Sequence, residues 1–141
     1  MTDGTIKRAA GLGRPLVLLG AKPGLRLRVT PLSFVDPAPG SEFFQPNAAN
    51  RFVAIRAELR NVGTSIYLDT TSNGAKVDSG GRLRRASILD AAEPGLNRPR
   101  LRAGQRKTGT LSFEIPKRAR IASLRLTLDS GFGPETGVWT F

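Results

Sequence analysis

Arginine supplies most of the chemistry that this sequence offers. Of 22 basic residues 17 are Arg and 5 Lys, against 11 acidic ones, which leaves a formal net charge of +11 over 141 residues. Several arginines recur at alternate positions within apolar runs. Arg26 and Arg28 interleave with Leu25, Leu27 and Val29, Arg56 and Arg60 with Ile55, Ala57 and Leu59, and Arg125 separates Leu124 from Leu126. A guanidinium is a rigid fork that pairs with phosphate or carboxylate through two parallel bonds. A plaque of them, helped by Arg82, Arg84 and Arg85, suits a polyanion such as nucleic acid, a teichoic-type polymer or lipid head groups. Arg98, Arg100 and Arg102, with Arg106 and Lys107 just beyond, form a second basic cluster in a Pro-containing stretch. The competing reading is a solvated sheet face and a solvated crossover loop, in a chain whose Arg-rich, Ala/Gly/Pro-rich composition reflects a high-GC genome.

Composition removes other chemistries. Without His there is no Ser-His-Asp or Cys-His nucleophile pair and no imidazole ligand; without Cys there is no thiolate, disulfide, zinc ribbon or iron–sulfur site. Gly11-Leu12-Gly13 does not continue as a dinucleotide fingerprint, there is no Walker loop, and the acidic residues are scattered singly. The expectation is therefore a non-enzymatic chain with no cofactor and no metal. Aromatics that would serve a nucleic-acid groove are few and are not interleaved with the arginines, which weakens that partner. Phe43-Phe44, in a polar loop between Pro39-Gly40 and Pro46, is instead the candidate anchor of a protein-binding surface. The alternative places the pair against the edge of the fold.

Strands must position these residues. Leu25–Thr30, Val53–Arg60, Leu111–Ile115 and Leu124–Leu128 alternate apolar and polar residues, the pattern of a strand buried on one side. Shorter runs at Leu16–Leu19, Ile66–Leu68, Ala75–Val77, Arg82–Arg84 and Val138–Phe141 fit the same reading. Helix is limited to a turn or two, expected near Ser87–Ala92. Asp78-Ser79-Gly80-Gly81, Ser72-Asn73-Gly74, Asn61-Val62-Gly63 and Ala21-Lys22-Pro23-Gly24 read as turns. The pattern predicts an all-β, antiparallel sandwich of about 7–9 strands over residues 14–141, preceded by a loose arm at 1–13, with the irregular stretches 36–50 and 90–105 as crossovers. Alternation sends Leu25, Leu27, Val29, Val53, Ile55, Leu59, Phe113, Leu124 and Leu126 inward, and Arg26, Arg28, Arg56, Arg60 and Arg125 outward.

Specific residues add a resemblance. The segment Arg51–Gly63 ends in Asn-x-Gly, Lys76–Arg82 carries Asp-x-x-Gly, Leu101–Gln105 carries Leu-x-x-Gly, and Gly109–Lys117 reads Gly-x-Leu-x-Phe-x-Ile-Pro. In this order, across Leu25–Leu128, they resemble a family of bacterial immunoglobulin-like domains of unknown function. That resemblance implies an immunoglobulin-like sandwich similar to small secreted mycobacterial antigens. It also implies a Gram-positive or actinobacterial protein exported or tethered at the cell surface, with no catalytic residue to carry over. The high positive charge, the stretch 90–104 and an N-terminus without an apolar leader core depart from it. Three functions follow as expectations: a protein-binding module at the cell surface or in a larger assembly, a polyanion binder, and a decorating component of a phage or secretion assembly. Localisation stays open between the cell surface, or secretion, after removal of a leader and the cytoplasm. No run approaches the length of a transmembrane helix.

Overall fold

The computed structural model describes residues 4–141, folded as a β-sandwich of two sheets. Eleven strands follow in chain order: β1 (Thr5–Ala10), β2 (Leu16–Leu19), β3 (Arg26–Val35), β4 (Asn50–Asn61), β5 (Tyr67–Leu68), β6 (Ala75–Ser79), β7 (Arg82–Arg85), β8 (Arg100–Leu101), β9 (Arg106–Pro116), β10 (Ile121–Thr127) and β11 (Glu135–Thr140). Sheet A has the order β1-β11-β10-β6-β7 and sheet B the order β2-β3-β4-β9, while β5 and β8 pair separately. The helix expected near Ser87–Ala92 is absent. Two short 3-10 turns, Thr71–Gly74 and Asp129–Gly131, are the helical elements among the described residues.

Period-two alternation does what it predicts at the core. All nine residues expected inward are at most 2% exposed, and they pack in one cluster with Tyr67, Val77, Leu96, Leu111, Ile115, Leu128 and Trp139. Burial of such side chains contributes on the order of 1.5–3 kcal/mol each before the cost of ordering the chain. Trp139 satisfies its buried indole by donating Nε1–H to the Arg14 carbonyl at 2.8 Å.

The N-terminal arm expected at 1–13 needs correction. Met1, Thr2 and Asp3 lie outside the described residues, but Thr5–Ala10 forms β1 and runs parallel to β11 along six register pairs. Its alternation is weak because it is an edge strand with mostly exposed side chains. Hydrogen bonds to β11, not apolar burial, define it. The sheet is accordingly mixed rather than wholly antiparallel.

Two turn assignments part in an instructive way. Gly80 and Gly81 both take positive φ (62° and 76°) and close the tight β6–β7 hairpin as expected. Asn73-Gly74 makes no hairpin, because β5 pairs with β8 rather than β6. Gly74 is needed there for space: a Cβ would sit 1.9 Å from the Thr127 carbonyl oxygen.

The two long irregular stretches do more than connect. Ala38 and Phe44 from the first, and Ala91 and Ala92 from the second, close over Phe52 and Ala54 on the outer face of sheet B and form a second, smaller core. The second stretch also protects the free edge of β9 with two backbone bonds, Leu96 N–H to Thr110 O (2.9 Å) and Thr110 N–H to Pro94 O (2.8 Å), and Ser87, just before it, adds a third from its N–H to Ser112 O (2.7 Å).

Candidate functional site

The register of sheet B turns sequence alternation into a surface. Arg28 on β3 stands opposite Arg60 on β4, and Arg60 stands opposite Arg106 on β9, so three guanidinium-bearing residues cross the sheet in one row. Directly opposed residues have Cβ atoms about 4.5–5.5 Å apart, and like charges so placed oppose pairing. Neutralisation is slight. Arg28 approaches Glu58 at 3.9 Å, and neither Arg60 nor Arg106 has a carboxylate within ion-pair distance among the described residues. Arg26 extends the row along β3 and is exposed, while half-buried Arg56 lies one turn of the pleat beyond Glu58 on the same face of β4. Like charges are tolerated here because water and salt screen them at an exposed face, and the same exposure leaves them available to an anion.

Arg125 does not belong to this plaque. It lies on β10 in sheet A, on the opposite side of the sandwich, opposite Val138 on one side and Lys76 on the other. Alternation distinguishes inward from outward but is blind to which sheet a strand joins, so one expected plaque becomes two separated by the core. Lys76 in turn faces Arg85, and Arg8 faces Val138, which completes a second basic row of Arg8, Arg125, Lys76 and Arg85. Neither Arg8 nor Lys76 stands out in the sequence as a site residue; the signal for Lys76 is its place between Ala75 and Val77.

The Arg98–Lys107 cluster also divides. Arg106 and Lys107 begin β9 rather than ending a loop, Arg100 pairs with Leu68 in the small β5–β8 ribbon, and Arg102 is exposed in the turn before Gln105. Arg98 borders a shallow depression with Asp69 and Asp129, so opposite charge stands near it.

Phe43 and Phe44 part company. Phe44 N–H donates to the Ser41 carbonyl (3.2 Å) and Ser41 N–H to the Phe44 carbonyl (2.9 Å), which pins a tight turn with Phe43 at its tip. The Phe44 ring stacks on Phe52 with centroids 4.4 Å apart at 27°. Phe43 is 92% exposed. The two rings thus take different roles in the loop: Phe44 holds it against the fold and Phe43 projects from it. Phe52 and Ala54 share the outward face of β4 with Arg56 and Arg60, so the Phe43 loop and the Arg28–Arg60–Arg106 row lie on the same side of sheet B.

Buried polar groups outside these faces serve the fold. Tyr67 donates its phenolic hydrogen to Asp69 at 2.8 Å; burial, reinforced by the Asp69 charge, pushes its ionisation well up, so the phenol stays protonated. Arg51 spans Asp36 (2.8 Å) and the carbonyls of Pro116, Lys117 and Ala119, which occupies its fork. No group of three or more acidic residues able to hold a metal ion occurs among the described residues.

Comparison with known proteins bears on the fold. No protein-family model matches the chain, and no curated protein matches it. Solved structures do. The secreted protein MPT63 of Mycobacterium tuberculosis superposes with a TM-score of 0.68 at 14% identity, over 96% of this chain and 98% of that one. A putative lipoprotein, ycdA of Bacillus subtilis, gives 0.66 at 15% identity over 90% of this chain and 38% of its own, and an uncharacterised β-sandwich protein of Clostridium difficile gives 0.53 at 10% identity over 100% and 97%. The structural neighbours are thus secreted, lipoprotein and uncharacterised β-sandwich proteins, and the β-sandwich is the shared feature. No helix among the described residues is long and apolar enough to cross a membrane.

Proposed function

We propose that this chain is a non-enzymatic binding module that works at the cell surface or in secreted form and contacts an acidic protein partner through the outer face of sheet B. The observation that carries the reading is the pairing, on one face, of the under-neutralised Arg28–Arg60–Arg106 row with the projecting ring of Phe43. Arg and aromatic side chains dominate the energetics of protein interfaces. Arg60 lies eight residues along β4 from Phe52, about 26 Å at strand rise, a span suited to a protein surface rather than to a small ligand. The printed descriptions of MPT63 as secreted and of ycdA as a putative lipoprotein support the location.

The same row favours a second reading, a linear polyanion bound by charge alone, in which Phe43 has no part. One experiment separates them. Wild type, Phe43→Ala and the triple variant Arg28→Ala/Arg60→Ala/Arg106→Ala are immobilised and exposed to a cell-surface extract of the host and, separately, to heparin at increasing salt. Loss of a discrete protein from both variants supports the protein-binding module. Steep salt-dependent heparin binding that survives Phe43→Ala but not the triple variant supports the polyanion reading. Unchanged capture by all three rejects this face as the contact surface.

A further inference from the structure

The outer face of sheet A carries a concavity that the protein-binding reading does not use. Its floor is built by three neighbouring strands whose register places Arg125, Lys76 and Arg85 directly opposite one another. One wall is the loop after β10, which carries Phe132, and Thr127 and Thr136 lie beside the arginine with their hydroxyl oxygens 2.6 Å apart. The cleft encloses about 620 Å³, much more than one inorganic anion occupies, and no Asp or Glu lines it.

Three features point to a ligand rather than to a solvated face. The charge is uncompensated: no ion pair to Arg125, Lys76 or Arg85 exists among the described residues, although like charges directly opposed across strands disfavour the sheet. Arg125 Nε–H is shielded from solvent and has no hydrogen-bond partner, an arrangement that normally costs a folded protein unless something accepts from it. Phe132 is 85% exposed, so its ring is placed at the cleft without contributing to the core.

The wall is also fixed in advance. Asp129 and Ser130 both hold φ at 54°, a left-handed conformation that non-glycine residues avoid. Their backbone amides converge on the Asp69 carboxylate at 3.0 and 2.8 Å, which stabilises the turn and sets the position of Phe132 two residues later. A pre-formed wall spares a ligand the cost of ordering it.

We infer that this cleft binds a phosphorylated saccharide, with the phosphate on Arg125, Lys76 and Arg85 and the sugar ring between Phe132 and the Thr127–Thr136 hydroxyls. Three cations in one row match a dianionic phosphate through charge-assisted hydrogen bonds. The apolar face of a pyranose matches an exposed aromatic ring, and its hydroxyls match threonine hydroxyls that both donate and accept. Because the cleft is on the sheet opposite the Arg28–Arg60–Arg106 row, it stands or falls separately from the protein-binding proposal.

Calorimetric titration at low salt tests it with three probes, glucose 6-phosphate, inorganic phosphate and glucose, on the whole chain. Glucose 6-phosphate is expected to bind at millimolar concentration or tighter, inorganic phosphate more weakly and glucose not at all. Arg125→Ala is expected to lower affinity for glucose 6-phosphate at least about tenfold, as removal of a charge-assisted bond does. Lys76→Ala and Arg85→Ala, at the more open positions of the row, are expected to lower it several-fold, and they carry the test if Arg125→Ala fails to fold. Phe132→Ala should weaken glucose 6-phosphate while leaving inorganic phosphate unchanged, and Arg118→Ala, at an exposed position outside either row, should alter neither. Absence of binding by both phosphate probes, or an equal loss in Arg118→Ala, overturns the site. Equal affinity for the two phosphates with no effect of Phe132→Ala overturns the saccharide.

Discussion

Asn61 offers the sharpest test of how this sandwich is held together. It ends β4, is fully buried, and uses its whole side chain: Nδ2 donates to the carbonyls of Ser65 (2.8 Å) and Leu101 (2.9 Å), and Oδ1 accepts from Gly63 N–H at 3.0 Å. Its backbone donates to Gln105 O (2.9 Å) and accepts from Gly104 N–H (2.8 Å). One amide therefore fastens the turn after β4 and strand β8 to the end of the central strand of sheet B. Asn61→Ala leaves the buried Leu101 carbonyl and the half-buried Ser65 carbonyl and Gly63 amide without these partners. At about 1–3 kcal/mol for each stranded group, reduced by local relaxation and entry of water, the expected loss is about 3–5 kcal/mol. For a chain of 141 residues the unfolding entropy is about 0.3 kcal/mol/K, so Tm should fall by roughly 10–17 °C. Asn61→Asp sharpens the test, because a carboxylate there faces two carbonyl oxygens and has no proton to give. Its native-state ionisation must be pushed up, so the folded variant binds a proton more tightly than the unfolded chain, and stability recovers as pH falls. Denaturant unfolding of wild type and both variants at pH 7 and about pH 4.5 measures this. Asn61→Asp should be worse than Asn61→Ala at pH 7 and regain ground on it at the lower pH. An Asn61→Ala loss under about 1 kcal/mol, or an Asn61→Asp deficit that ignores pH, refutes the reasoning.

Phe43→Ala should change stability by no more than about 0.5 kcal/mol, whereas Phe44→Ala should cost about 1–2 kcal/mol from lost stacking and burial against Phe52, both read by chemical denaturation. Asp69→Ala removes the acceptor for Tyr67, Asp129 and Ser130. It is expected to cost about 2–4 kcal/mol and to speed hydrogen exchange at the Ser130 amide; unchanged exchange would show that the left-handed turn needs no such clamp. The Asp90 carboxyl is raised above its ordinary value by burial and by the Glu93 charge, with Lys107 opposing. The native state thus holds this proton more tightly than the unfolded chain, and the stability it contributes is lost as pH rises upward from about 3.9. Asp90→Asn keeps an acceptor for Asn97, so the variant should gain on wild type across that rise and level off at neutral pH, and a gap that narrows with rising pH contradicts the assignment.

The boundary between what the chain's letters determined and what folding decided runs along sheet membership. Alternation at Leu25–Val29, Val53–Leu59 and Leu124–Leu126 determined strands, their buried faces and the outward arginines, because side-chain direction in a strand is a local property of the backbone. The absence of His and Cys removed whole classes of chemistry before any fold was known. The β1 strand is not legible in the sequence because an edge strand is defined by hydrogen bonds to β11, which leave little trace in its own side chains. Asn73-Gly74 does lie in a turn, the 3-10 turn Thr71–Gly74, but a turn signal does not say which strands it joins, and here β5 pairs with β8 rather than with β6. Only the tertiary structure separated Arg125 from Arg28 and Arg60, set it beside Lys76 and Arg85, and sent Phe44 into the fold while leaving Phe43 outside. Each of those outcomes depends on which distant strand or loop becomes a neighbour, and neighbours are chosen by the packing of the whole chain rather than by the residues on either side.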